Sequence, residues 1–162
     1  MIINKKKEDY NFKTDIEIGE RGEEIISKDL EKMGANFITD NKDIEYDLMM
    51  EVPQKPKKVR YEIKTDIFCK PNNDTGNLFI EYECRDKPSG INATKADWFV
   101  MFYPYLKSAW YIETSELKKL IKYNNFRKTS FSGDEDSNTK GYLIPREAYR
   151  RFFIVRKIEE SL

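Results

Sequence analysis

Hydrophobic and polar positions alternate along residues 59–65, and this period of two predicts a β-strand with one buried face. The polar face carries Glu62 and Lys64, an acid and a base that project side by side. A similar run at residues 44–50 predicts a second strand, which carries Asp47, and the short connection between the two runs contains two prolines, which is typical of a hairpin loop. Antiparallel pairing would bring Asp47 and Glu62 together at one edge of the sheet, with Lys64 next to them.

The two carboxylates favour a metal site. Carboxylates this close repel each other unless a divalent cation lies between them, and hard oxygen ligands suit Mg²⁺. The sequence contains no histidine, which excludes every mechanism that needs an imidazole base or ligand. A hydrolase built on this chain would therefore use carboxylates, lysine and a metal ion.

A helix and a lead-in are predicted before these strands. Apolar residues recur at helical spacing in residues 18–34, and Gly34 is a natural end for the helix. Glu23 lies near the helix start, where it either faces solvent, favoured by the helix dipole, or serves a site. Residues 1–16 are polar and basic and are expected to form an N-terminal arm, which leaves residues 17–162 as a single domain.

Further elements are predicted downstream. The predicted strands are residues 78–84, 98–103 and 109–113. A short helix over residues 116–121 follows, and residues 127–141 are expected to form a mobile loop that faces DNA. Glu81 or Glu83 could approach the site from a neighbouring strand, although a solvated face is the favoured interpretation. The tail, residues 142–157, mixes aromatic and basic residues. This composition is compatible with a surface that binds a nucleic-acid backbone and with a closing strand or helix.

Composition limits the class of protein. The chain has 29 Lys and Arg against 29 Asp and Glu, so any nucleic-acid surface must be a local patch. Aromatic residues make up 14%, which argues against disorder despite 36% charged residues. Cys69 and Cys84 lack metal-type spacing and fit free thiols in a reducing cytoplasm. No apolar run is long enough to cross a bilayer, and the start lacks the apolar core of a signal peptide, so no membrane partner is expected.

The order of the charged residues points to a family. Asp47, followed by Glu62-Ile63-Lys64, resembles the D…ExK signature of the PD-(D/E)xK nuclease superfamily, which has the restriction-endonuclease-like fold. Tyr46 stands where the strict form of the signature has proline.

Three neighbouring segments strengthen the resemblance. Gly22-Glu23 is similar to the first helix of Holliday-junction-resolvase-like phage and bacterial members, in which a helix glutamate faces the metal; Glu20 and Glu24 match less well. Residues 45–49 are similar to the aspartate strand of those proteins. Residues 89–97, which read Ser-Gly-Ile and then Thr-Lys-Ala-Asp, are similar to the segment after their third core strand.

The resemblance implies a fold and a function. The fold is α/β (α+β), with a mixed central sheet of four to five strands flanked by helices in the order αβββαβ, a core at about residues 18–113 and a C-terminal extension at 114–162. The function is a metal-dependent DNA endonuclease in recombination, repair, restriction or phage replication, with branched DNA as a candidate substrate. DNA is the implied partner, and a homodimer is compatible with the family.

The resemblance also assigns roles within the site. Mg²⁺, or Mn²⁺ in its place, would be held by Asp47, Glu62 and the carbonyl of Ile63, with Glu23 acting through water or at a second ion. Lys64 would orient or deprotonate the attacking water or stabilise the transition state, and a nearby cation would lower its pKa.

Auxiliary residues are also assigned. Lys95 matches an auxiliary catalytic position near the scissile phosphate, and Ser89 matches it less well; a solvated lysine and a helix-capping serine are the alternatives. The residues expected to contact DNA are Ser89, Lys95, Arg127, Lys128, Arg150 and Arg151.

Two other functions stay open on the sequence. A catalytically silent nuclease-fold protein that binds DNA or a protein partner is compatible with the near-zero net charge and the missing proline, although such a copy has no physical reason to keep three converging charges. An unrelated α+β protein with exposed charged strands is the second alternative.

Overall fold

Two β-sheets and three α-helices form the part of the chain that the computed structural model describes, residues 12–40, 46–52, 57–131 and 138–162. The α-helices are α1 (Phe12–Lys32), α2 (Thr114–Tyr123) and α3 (Arg146–Tyr149). The strands are β1 (Asn36–Asp40), β2 (Leu48–Val52), β3 (Lys57–Thr65), β4 (Asn77–Cys84), β5 (Lys87–Pro88), β6 (Trp98–Tyr103), β7 (Ser108–Glu113), β8 (Arg127–Phe131), β9 (Thr139–Pro145) and β10 (Ile154–Lys157). Single turns of 3₁₀ helix occur at Gly90–Asn92, Pro104–Leu106 and Arg150–Phe152.

The central sheet is mixed, as predicted. Among the described residues it has six strands in the order β1-β2-β3-β6-β7-β10, rather than the four to five expected. The β3–β6 pair is parallel and the other pairs are antiparallel. A parallel pair needs a long crossover; here the crossover contains β4 and β5, which belong to the second sheet, and the 3₁₀ turn Gly90–Asn92 in place of an α-helix.

The second sheet has the order β5-β4-β9-β8, so the prediction of a mobile loop at residues 127–141 is wrong for the part that is described. Residues 132–137 lie outside the described residues. The hairpin of β8 and β9 forms because β9 pairs with β4 along most of its length and buries Ile144 beside Leu78, both fully covered. Residues 127–141 themselves contain Phe131 as their single large apolar residue, so no apolar period marks β8 or the start of β9 in the sequence.

Two apolar clusters lie on opposite faces of the central sheet. One joins α1 to one face and includes Ile26, Ile63 and Val100. The other joins the second sheet and α2 to the opposite face and includes Leu78 and Phe99. Successive residues of β6 enter alternate clusters, so the strand predicted at residues 98–103 is confirmed and is covered on both faces.

Helix α1 begins at Phe12, inside the segment predicted to be an arm. Residues 1–11 lie outside the described residues. A buried charge connects α1 to the far end of the sheet: Asp29, 6% exposed, accepts two hydrogen bonds from Arg156 of β10 at 2.7 and 2.9 Å. Tyr111 of β7 donates a third at 3.0 Å. The segment after residue 113, predicted to be an extension, therefore contributes strands to both sheets.

The ends of two elements have local causes or features. Strand β3 ends at Thr65, because the Asp66 carboxylate accepts hydrogen bonds from the backbone N–H groups of Phe68 and Cys69 and turns the chain. Helix α2 begins at Thr114 without a side-chain cap. No helix among the described residues is long and apolar enough to cross a membrane.

Candidate active site

Asp47, Glu62 and Lys64 converge beside strand β3. Glu62 and Lys64 lie on the same face of β3, and the Lys64 ammonium is 2.8 Å from Glu62 Oε1. Asp47 directly precedes β2, and the antiparallel pairing of Leu48 with Tyr61 sets Asp47 opposite Glu62. The predicted pairing of these two strands is therefore confirmed, and it brings the three charged groups together; the prolines of the connection lie outside the described residues.

Backbone hydrogen bonds hold Asp47 at the end of β2. Its N–H donates to the carbonyl of Tyr61 at 2.8 Å, and its Oδ2 accepts from the N–H of Ile63 at 2.7 Å. The N–H and C=O of one strand residue point to the same side of the strand. The carbonyl of Ile63 therefore points to the side of β3 on which the Asp47 carboxylate lies, as the predicted ligand set requires.

The electrostatics of this group are dominated by its acids. Burial, together with the neighbouring charge of Glu62, raises the pKa of Asp47 to about 6. Burial lowers the pKa of Lys64, but Glu62, Asp47 and Glu81 outweigh it, so this pKa is raised above its ordinary value. In the metal-free protein Lys64 is consequently a cation, whereas the expected lowering of its pKa depends on a bound metal.

Glu62 is held from two directions. It is 6% exposed, and its Oε2 accepts a hydrogen bond from the hydroxyl of Thr94 at 3.2 Å. Sequence reasoning missed Thr94, because it lies 32 residues from Glu62 in a segment without a clear period. It also placed Glu81 on a solvated face. Glu81 belongs to β4 of the second sheet, yet it is close enough to raise the pKa of Lys64.

Helix α1 forms one wall of the cavity that Asp47 and Lys64 line. Gly22 packs so closely on β3 that an added Cβ would lie 1.9 Å from Thr65 Oγ1. The next residue, Glu23, is half-buried and lines a cavity of about 390 Å³ together with Asp47 and Lys64. Glu20 and Glu24 line a different cavity on the same helix, which Glu23 also borders.

The described side chains do not form a complete metal cage by themselves. Among residues 12–40, 46–52, 57–131 and 138–162, no group of three or more Asp, Glu or Cys side chains is arranged to hold a metal ion. Two carboxylates do meet, since Asp47 and Glu62 are close enough to raise the pKa of Asp47. Further ligands would have to come from the backbone, water or a substrate.

Lys95 and Ser89 lie away from this group. Lys95 is exposed and lines a separate cavity of about 540 Å³ with Trp98 and Lys118. Ser89 is half-buried at the start of the 3₁₀ turn Gly90–Asn92 and makes no side-chain capping bond there. The side chain that contacts Glu62 from this segment is that of Thr94.

The remaining basic residues lie on two surfaces. Arg127 and Lys128 are exposed on the edge strand β8, and the Lys128 ammonium is 5.9 Å from the ring centres of both Tyr82 and Tyr142. Arg150 pairs with Glu147 and lies over the ring of Trp110, while Arg151 lies over Phe152. Of the basic residues in the tail, Arg146 and Arg156 have structural roles, because they pair with Asp74 and Asp29.

Comparisons with known proteins identify the fold. No protein-family model matches the chain, and no curated protein sequence matches it. Among solved structures, the chain is similar to a bacterial homing endonuclease, I-Ssp6803I, with 15% identity and a TM-score of 0.52 over 80% of this chain and 77% of that chain. At this identity the similarity shows a shared fold alone, and the mixed α+β architecture is the one predicted.

Proposed function

We propose that this protein is a metal-dependent DNA endonuclease of the PD-(D/E)xK type. The observation that carries the proposal is the convergence of Asp47, Glu62 and Lys64 at one edge of β3. The D…ExK order along the chain supports it, and so does the similar fold of a protein described as a bacterial homing endonuclease. The reaction is phosphodiester hydrolysis in recombination, repair, restriction or phage replication, and branched DNA is a candidate substrate.

The donor set suits Mg²⁺, with Mn²⁺ as a substitute. Asp47 and Glu62 offer carboxylate oxygens, Ile63 offers its carbonyl, and we assign Glu23 a contact through water. Mg²⁺ keeps several water ligands and usually takes one or two carboxylates, so two converging acids are sufficient. When bound, the ion supplies an activated water and polarises the scissile phosphate.

Lys64 serves as a cation in this scheme. Its raised pKa keeps the ammonium group protonated in the free protein, and Glu62 holds it beside the cavity. A protonated lysine donates hydrogen bonds to phosphate oxygens and balances the negative charge that develops during hydrolysis. This role does not require Lys64 to remove a proton from water.

Local basic patches bind the DNA backbone. We assign this role to Arg127 and Lys128 on β8 and to Arg150 and Arg151 near the C-terminus. We also assign contacts with the DNA backbone to Lys95 and Ser89, outside the cavity of Asp47 and Lys64, because Lys95 lines a separate cavity. Binding of this kind weakens as salt rises. A homodimer would set one site on each strand of a duplex.

One observation favours a second function, a catalytically silent DNA- or protein-binding module. Lys64 pairs with one oxygen of Glu62 at 2.8 Å, so the negative charge of Glu62 is partly balanced without a metal ion. A silent module of this kind would bind DNA equally well in Mg²⁺ and in EDTA. It would also show no rise in Tm when Mg²⁺ is added.

Cleavage assays test the nuclease. The parent chain, Asp47→Ala and Lys64→Ala are incubated with linear, nicked, branched and single-stranded DNA in Mg²⁺, Mn²⁺ or EDTA. We expect metal-dependent cleavage by the parent and a loss of about 10²–10⁴-fold in each variant at unchanged fold. Glu31→Gln, an exposed change on α1, serves as the control. Cleavage by either site variant at the parent's rate would show that the site is misplaced.

A further inference from the structure

Thr94 is a buried polar residue that contacts the site from the crossover between β3 and β6. It is 6% exposed, and its hydroxyl lies 3.2 Å from Glu62 Oε2. Carboxylates that bind metals are commonly oriented by hydrogen-bond donors that do not touch the metal. The position of Thr94 is therefore that of a residue acting through Glu62.

The Thr94 hydroxyl donates to Glu62 and accepts from the backbone. A carboxylate oxygen accepts hydrogen bonds, so the hydroxyl donates its proton to Glu62 Oε2. The backbone N–H of Ala96 donates to Thr94 Oγ1 at 3.1 Å. A threonine held in this way donates to Glu62 from a fixed position.

The two oxygens of Glu62 have different partners. Oε1 pairs with the Lys64 ammonium at 2.8 Å, and Lys64 is 37% exposed on a long, flexible side chain. Oε2 is held by Thr94, which is short, β-branched and buried. When Lys64 turns toward a phosphate, Thr94 still keeps the carboxylate of Glu62 in place.

The segment that carries Thr94 is fixed to both sheets. The Thr94 N–H donates to the carbonyl of Gly90 at 2.9 Å, and Gly90 has a φ of +50° and packs directly on the backbone of Glu81 in β4. At its other end, Asp97 exchanges hydrogen bonds with the backbone of Arg60 in β3, at 2.8 and 2.9 Å. The hydroxyl is therefore positioned by the fold rather than by a mobile loop.

We infer that Thr94 is a positioning residue that orients the carboxylate of Glu62 for metal binding. The inference rests on the proposed function, because it concerns the same site. It predicts that removing the hydroxyl weakens metal binding and slows hydrolysis without weakening the binding of DNA. The size of the effect should be about 10- to 100-fold, as for other residues that orient metal ligands.

Thr94→Val and Thr94→Ser are the variants for the test. Valine keeps the shape and removes the donor, whereas serine keeps the donor. Thr114→Val is the matched control, because Thr114 is also 6% exposed and its hydroxyl has no hydrogen-bond partner among the described residues. The readouts are Mg²⁺ and Mn²⁺ affinity without DNA, from the metal-dependent rise in Tm, and kcat and KM for DNA cleavage.

We expect Thr94→Val to raise the apparent Kd for metal and to lower kcat, each by about 10- to 100-fold, with KM for DNA within about twofold. Thr94→Ser and Thr114→Val should match the parent. If Thr94→Val does not fold, Thr94→Ala compared with Thr94→Ser gives the same contrast.

Two results would overturn the inference while leaving the nuclease intact. Parent-like metal affinity and kcat in Thr94→Val would show that the hydroxyl is not used. An equal defect in Thr94→Ser would show that packing, not the donor, matters. A parent protein that neither binds metal nor cleaves DNA would instead overturn the proposed function, and the role of Thr94 with it.

Discussion

At the scale of single residues, the buried negative charge of Asp47 lowers the free energy of unfolding, and a bound cation would remove this cost. Its pKa is raised from 3.8 to about 6 by burial and by Glu62. The native protein therefore holds a proton on Asp47 between about pH 4 and 6, where the unfolded chain has lost it, and stability falls as pH rises through this window. The loss is complete about one pH unit above the raised pKa.

Asp47→Asn should remove this cost. The amide oxygen still accepts the hydrogen bond from Ile63, but the charge is gone. In EDTA above pH 7 we expect the variant to be more stable than the parent by about 1–2 kcal/mol, a figure reduced for the partial exposure of Asp47. The difference should vanish near pH 4. Urea denaturation at pH 4, 6 and 8 measures it, with Glu31→Gln as the control, and equal stability at pH 8 would contradict the raised pKa.

The residues of the site differ in how far the sequence predicts them. Asp47, Glu62 and Lys64 are predictable because the period of two fixes the face of each strand and the hairpin fixes the pairing. Thr94 and Glu81 are not, because their approach depends on how the crossover folds between two sheets. The protonation of Lys64 also follows from the sum of several charges in space, which spacing along the chain does not give.

At the scale of elements, the close contact between α1 and β3 sets the position of Glu23. Gly22→Ala should lower the free energy of unfolding by about 1–3 kcal/mol, because the added Cβ would lie 1.9 Å from Thr65 Oγ1. Gly19→Ala on the same helix has nothing within 4 Å and should raise it by about 0.5–1 kcal/mol. Chemical denaturation measures both changes.

A double-mutant cycle isolates the contact. In a Thr65→Ala background, Gly22→Ala should cost clearly less than it does in the parent, because the hydroxyl that it meets is absent. An identical cost in the two backgrounds would mean that the helix does not rest on Thr65.

Elements with a clean period were predictable, and those stabilised by distant partners were not. Strand β3 and the buried strand β6 follow directly from their patterns. Apart from Phe131, strand β8 and the first residues of β9 are polar or glycine, and they become strands because β9 pairs with the edge of β4 and β8 pairs with β9. Helix α1 starts earlier than predicted, at Phe12, since residues 12–17 contain Phe12 and Ile16 as their only apolar residues, too few to mark a helical face.

At the scale of the whole molecule, the ion pair of Asp29 and Arg156 connects α1 to β10. Arg156→Ala should lower the free energy of unfolding by about 1.5–3 kcal/mol, because the buried carboxylate of Asp29 loses its cation and two hydrogen bonds. Lys157→Ala, at the exposed neighbouring position, should change stability by less than about 0.5 kcal/mol.

Thermal or urea denaturation compares the two variants. Adding Asp29→Asn to Arg156→Ala should recover part of the loss, since the amide carries no charge that needs a partner. If Arg156→Ala is as stable as Lys157→Ala, the pair contributes nothing and the connection between α1 and β10 rests on apolar packing.

The two residues of this ion pair are synthesised at different times, because they lie far apart along the chain. Asp29 and Arg156 are 127 positions apart, so at about 5–20 residues per second a ribosome needs on the order of ten seconds to deliver the second after the first. Until then the edge of β7 lies open and the acid of α1 has no counter-ion. Prematurely terminated chains would therefore lack both the last strand of the central sheet and the cation that pairs with Asp29, and they would remain open to proteolysis.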